Sequence, residues 1–132
     1  MSYELDFTIA KDTSSGSPHE ETLKIAPGTV TDVWITFPDG CADLVHARFL
    51  YHTQQIWPYT RGAWFRGNGR TVHIRPNVDL DEPPHELQVQ GYNEDVLYQH
   101  SLTIEVDMDF KGDWLSALRR LFVPAPAESE GS

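Results

Sequence analysis

The chain has 132 residues with a formal net charge of −10; 39% are hydrophobic and 11% aromatic. That length fits one domain, burying roughly two thirds of the surface its unfolded form exposes, and the apolar content excludes a disordered chain. No apolar run approaches the roughly 18 residues that span a bilayer, and the opening MSYELDFTIAKD lacks the charged-then-apolar pattern of an export signal, so a soluble, unexported chain is expected. The acidity argues against duplex nucleic acid as a partner, since phosphate binding needs a net positive face.

Most of the sequence alternates in steps of two between turns rich in proline and glycine. YELDFTI sets Tyr3, Leu5, Phe7 and Ile9 on one face; KDTSSGSPHEE is a polar loop, and ETLKI opens the next strand. After the turn APGT, TDVWITF alternates Val33, Ile35 and Phe37 against Asp32, Trp34 and Thr36, and PDG ends it. The single cysteine, Cys41, excludes an intramolecular disulfide and a cysteine-based zinc cage and is read as a small buried thiol. LVHARFLYHT then sets Val45, Ala47, Phe49 and Tyr51 against His46, Arg48, Leu50 and His52. A short strand QQIW, the glycine-rich loop TRGAWFRGNGR, the strand TVHIR, a turn at PNVDLDEPP, the strand ELQVQGY, the turn NEDV and a long strand ending SLTIEVDM follow. Strands about ten residues apart with no helix between them predict antiparallel sheets packed face to face. The expected fold is all-β: an antiparallel β-sandwich of eight or nine strands over residues 1–110, jelly-roll-like in topology.

Only the end reads as helix. In GDWLSALRRLFVP, Asp113 can cap, and Trp114, Leu118, Leu121 and Phe122 recur at helical spacing, giving an apolar stripe of roughly 15 Å. This short C-terminal amphipathic helix, 111–123, closes one end of its own sandwich or docks on a neighbour. Residues 124–132, PAPAESEGS, stop it with proline and continue as an acidic tail.

Searches for chemistry along the chain return little. His46 and His52 share a strand face but stand six residues apart, about 20 Å at strand rise, too far to share an ion; exposed sheet-face histidines are expected instead. From Asp107, DMDFKGDWLSAL places Asp107, Asp109 and Gly112 as a calcium loop would, but Leu118 stands where the bidentate glutamate is required. Asp79, Asp81 and Glu82 read as a solvated acidic loop. There is no GxSxG and no P-loop, and GNG in FRGNGR is a turn leading into a strand, not a phosphate cradle. No catalytic residue, metal or cofactor is assigned, and a non-enzymatic protein is expected.

The lead is charge. From Leu44 to Val78 the chain carries Arg48, Arg61, Arg66, Arg70 and Arg75 and no acid, leaving five basic residues against all twenty acidic ones elsewhere, a formal −15. Trp57, Tyr59, Trp64 and Phe65 lie among these arginines. Three readings compete. Trp57 and Trp64 plug the sandwich while arginine stems cover apolar surface. Alternatively, aromatic faces and guanidinium forks bind a ligand such as a glycan or single-stranded bases. Or the segment meets acidic turns of another subunit, Asp79–Glu82 and Asn93–Asp95 being candidate receptors, in a heterologous contact that builds a homo-oligomer or decorates an acidic lattice.

The run of YELDFTI, ETLKIAPGTV, VWITFPDGCADLVHARF, QQIWP, WFRGNG, EPPHELQVQGYNED and SLTIEVDM resembles small β-sandwich proteins encoded by tailed phages and related elements, over residues 3–109. The resemblance implies a virion structural part, such as a capsid decoration or tail component, located in the virion or otherwise in the cytoplasm. The expected contact residues are Trp57, Tyr59, Arg61, Trp64, Phe65, Arg66 and Arg70, with Trp114, Leu118 and Phe122 as a second anchor. The partner is another protein subunit; a carbohydrate or receptor-binding module using the same loop is the alternative.

Overall fold

The computed structural model describes residues 2–110; the helix expected over 111–123, with Trp114, Leu118 and Phe122, and the tail 124–132 lie outside the described residues. Ten strands form: β1 (Ser2–Ile9), β2 (His19–Lys24), β3 (Gly28–Phe37), β4 (Val45–Tyr51), β5 (Gln54–Trp57), β6 (Phe65–Arg66), β7 (Arg70–Ile74), β8 (Val78–Leu80), β9 (Glu86–Asn93) and β10 (His100–Phe110). They make two antiparallel sheets of five. The first runs β1-β10-β3-β7 with β8 also paired to β3, and the second runs β2-β9-β4-β5 with β6 also paired to β4.

Alternation dictates how the sheets meet. Phe7 and Ile9 of β1, Val33, Ile35 and Phe37 of β3, and Leu102, Ile104 and Val106 of β10 are fully buried, as are Ala47, Phe49, Leu87 and Val89 of the second sheet, and all belong to one core. Each large apolar side chain so buried contributes about 1.5–3 kcal/mol, and the common core makes the arrangement sandwich-like. The sheets pack tightly at Gly91, where a Cβ would stand 2.5 Å from Ile9 Cδ1 and 2.6 Å from Phe7 Cε2, so glycine suits the contact. Cys41 is fully buried, and burial pushes its thiol pKa up.

Among the described residues, ten strands replace the expected eight or nine. The additional ones are short and lie where loops were expected: β6, two residues inside the glycine-rich segment, pairs with β4, and β8, three residues inside PNVDLDEPP, pairs with β3. Neither is long enough to display a period of two; a partner strand, not a side-chain pattern, holds each extended. Among the described residues, no helix is long and apolar enough to cross a membrane.

Candidate functional site

The outward positions of β4 are His46, Arg48 and Leu50, and β9 sets Tyr92, Gln90 and Gln88 directly opposite them. On the other side of β4, Arg66 of β6 stands opposite His46. Side chains on this face are locked together. The His46 ring stacks on Tyr92 at 4.3 Å and 5°, Trp64 meets Tyr92 edge-on at 4.7 Å, and the Arg48 guanidinium lies 4.2 Å over the Trp64 ring. Arg48 Nε also donates to Gln90 Oε1 (2.9 Å) and Nη1 to Gln55 Oε1 (3.4 Å). A cation stacked on an indole and held in plane by two amide oxygens is fixed before any partner arrives.

Exposed sheet-face histidines were expected, and His46 departs from that: it is only 7% exposed, because the stacked Tyr92 ring covers it. Burial pushes its pKa below the ordinary 6.5, against the opposing pull of the Glu94 carboxylate. Its Nδ1 has no hydrogen-bond partner among the described residues.

Gln55 organises the neighbouring loop. Its side-chain amide donates to the carbonyls of Pro58 (2.9 Å), Thr60 (3.0 Å) and Ala63 (3.1 Å), and its Oε1 accepts from the Gly62 N–H (3.1 Å). Gly62, at φ +85°, supplies the left-handed turn. Arg61 therefore sits exposed at the tip of a braced loop. Between loop and sheet opens a cavity of about 350 Å³ lined by Arg48, Leu50, Thr53, Gln54, Gln55 and Arg61.

Electrostatics separate the two outer faces. Among the described residues no carboxylate forms an ion pair with Arg48, Arg61, Arg66 or Arg70; of the five arginines in the segment, Arg75 alone has one, Asp32 at 3.4 Å. The first sheet turns Glu4, Asp6, Asp32, Asp79, Glu105, Asp107 and Asp109 outward, whereas β2 and β9 of the second sheet turn out only the carboxylates of Glu20 and Glu86. Glu4 stands directly opposite Glu105, and Asp107 opposite Asp32, pairings that repel. Of these pairs Asp32 has basic neighbours among the described residues. His73, stacked on Trp34 at 4.6 Å, reaches Asp32 Oδ2 at 2.7 Å, and that hydrogen bond is the main cause holding the Asp32 carboxyl below its ordinary range.

The expected contact residues do not form one loop surface. Arg61, Trp64 and Arg66 gather beside Arg48 on the second sheet. Trp57 is 2% exposed and packs edge-on against Phe49 at 5.6 Å; it belongs to the core and reaches the surface only as part of a cavity lining. The half-buried Phe65 also turns toward Phe49 (6.3 Å). Arg70 opens β7 of the other sheet, its Nη2 donating to the Arg66 carbonyl (3.3 Å). Tyr59 is 80% exposed beside a second cavity of about 400 Å³, lined also by Trp57, Pro58, Phe65, Ile74, Arg75 and Pro76.

Sequence reading missed Tyr92, Gln90 and Gln55 as parts of this face. Alternation places His46 and Arg48 together, but which residues of β9 stand opposite depends on register, which a single strand does not carry. Among the described residues no group of three or more His, Cys, Asp or Glu is placed to hold a metal ion. With the geometry in view, neither protein-family models nor curated protein sequences match the chain.

Proposed function

We propose that the chain is a non-enzymatic structural subunit of the phage-virion type, a capsid decoration or tail component, that docks on an acidic protein surface through Arg48, Arg61, Trp64 and Arg66. The observation that carries this reading is the set of arginines without ion-pair partners among the described residues on one face of a molecule whose opposite face bears seven carboxylates. Such faces complement each other between copies, and a contact between unlike faces repeats. Arg and Trp are the side chains enriched at interface centres. A jelly-roll topology, common among capsid proteins, is supported by the strand orders β1-β10-β3-β7 and β2-β9-β4-β5.

Absolute mass by light scattering at low and high salt, with an Arg61→Ser/Arg66→Ser/Arg70→Ser variant alongside, tests the self-complementary form. Association that is lost at high salt and in the variant is expected; the mass of one chain in every condition removes self-docking and confines the reading to a different lattice protein. A second reading, a carbohydrate or receptor-binding module, is favoured by the cavity that joins Arg48 and Arg61 to Thr53 and Gln54 beside Trp64. Selective glycan-array binding that disappears in Trp64→Ala would put this reading first.

A further inference from the structure

The loop joining β9 to β10 exposes three consecutive apolar side chains, Val96 at 63%, Leu97 at 69% and Tyr98 at 66%. Exposed apolar residues in a row ordinarily mark a loop free to collapse or a surface awaiting a partner. Here the backbone is pinned. Asp95 Oδ1 accepts from the N–H groups of Leu97 (2.9 Å) and Tyr98 (3.2 Å), and its Oδ2 meets His100 Nε2 at 2.9 Å. The fully buried Asn93 accepts from the Asp95 N–H (2.9 Å) and donates to the Tyr98 carbonyl (3.0 Å), while the Asp12 N–H donates to the Asp95 carbonyl (2.8 Å). A polar scaffold thus holds an apolar tip outward, so little ordering entropy is lost when the tip is buried.

The matching concavity is on the same molecule. The cavity of about 400 Å³ where β5, β6 and β7 come together is lined by Trp57, Pro58, Tyr59, Phe65, Ile74 and Pro76. Its lining is predominantly apolar, and its volume has room for a leucine side chain and part of an aromatic ring. Charges beside the two features are opposite: Glu94, exposed, precedes the finger, and Arg75 lines the cavity, 74% exposed beyond its contact with Asp32. All three finger side chains are exposed in the single chain, so the finger does not fill its own cavity.

Resting on the assembly reading above, we infer that the Val96–Tyr98 finger of one copy inserts into the β5–β7 cavity of a second copy, a heterologous apolar contact that propagates head to tail. Asp95, expected from sequence as a receptor for arginines, instead shapes the finger. The contact is driven by apolar burial, so high salt leaves it in place, unlike the arginine face.

Sedimentation velocity on the full chain from micromolar to millimolar concentration at high salt tests the inference, using Leu97→Asp and Tyr59→Asp, both at exposed positions where folding is not at risk. Wild-type mass is expected to rise with concentration, and each variant to associate at least about tenfold more weakly. An equimolar mixture of the two is expected to form dimers and stop there, because one variant keeps an intact cavity and the other an intact finger. A mixture that stays monomeric, or Leu97→Asp associating as the wild type does, overturns the inference. If the arginine variant loses association at low salt while Leu97→Asp keeps it, this contact fails and the assembly reading stands. A wild type of one chain throughout removes the finger contact and leaves docking on a different acidic partner to the arginine face.

Discussion

The outer faces of the two sheets come from the same alternation and yet differ in kind. The face of β1, β10 and β3 sets like charges directly opposite each other, Glu4 against Glu105 and Asp107 against Asp32, with His73 and Arg75 answering only Asp32. Across β4 and β9 the aromatic side chains and Arg48 form one stack: His46 on Tyr92, Tyr92 on Trp64, Trp64 under Arg48. Repulsion costs stability on one face, while stacking on the other fixes an arginine with no ion-pair partner among the described residues, the outward acid Glu20 being held by Gln90 at 2.7 Å. The charge asymmetry is thus a property of sheets, not of the arginine segment, which crosses from one sheet to the other between β6 and β7.

The sharpest way to break this contrast is from below. Trp57→Ala empties the core under the arginine loop, and a loss of about 3–5 kcal/mol in denaturant unfolding is expected, with the basic face collapsing and the acidic one keeping its register. Trp64→Ala should cost only about 1–2.5 kcal/mol in the same measurement, the sum of one edge-on aromatic contact and one cation stack. Its docking loss would then exceed its stability loss, which separates a core tryptophan from a surface one. Glu105→Lys acts in the opposite direction: pairing with Glu4 should stabilise by about 0.2–1 kcal/mol in thermal unfolding at low salt and fade at high salt.

Titration sharpens the comparison with the smallest effect. The lowered pKa of His46 means the unfolded chain takes up a proton first; the stability tied to this ring is complete above the ordinary value of 6.5 and declines as pH falls from there through the lowered value. His46→Phe should flatten that part of a stability–pH profile. Asp32 on the acidic face behaves otherwise: its carboxyl is held below the ordinary 3.8, so its contribution is complete above that value and is lost only as pH falls below it. One face should respond in mild acid and the other only in strong acid.

Sequence legibility followed how many residues carried each signal. β1, β3, β4 and β9 could be read because Phe7, Ile9, Val33, Ile35, Phe49 and Val89 repeat their period over several positions. β6 and β8 are two and three residues long and have no period to repeat. The concentration of arginine was visible, but its division between faces was not, because it depends on which strand lies beside which. Trp57 and Trp64 are alike in sequence context, and only the loop braced by Gln55 sends one inward and the other outward. The Val96–Tyr98 finger escaped notice because apolar residues after a turn resemble the start of a strand; Asn93 and Asp95, spaced to cap a turn, were the available sign of a loop.

The sheet edges carry a further consequence. An edge strand with unpaired backbone groups is a template on which another chain can extend the sheet without limit. In this molecule the edge beyond β3 is cut into β7 and β8, and the edge beyond β4 into β5 and β6, none longer than five residues. The edge strand β2 turns His19 and Glu21 toward the sandwich interior, joined at 2.9 Å, and β1 carries Glu4 and Asp6 outward. Two edges thus offer only short templates and the other two carry charge, both of which disfavour growth of the sheets by backbone addition between copies.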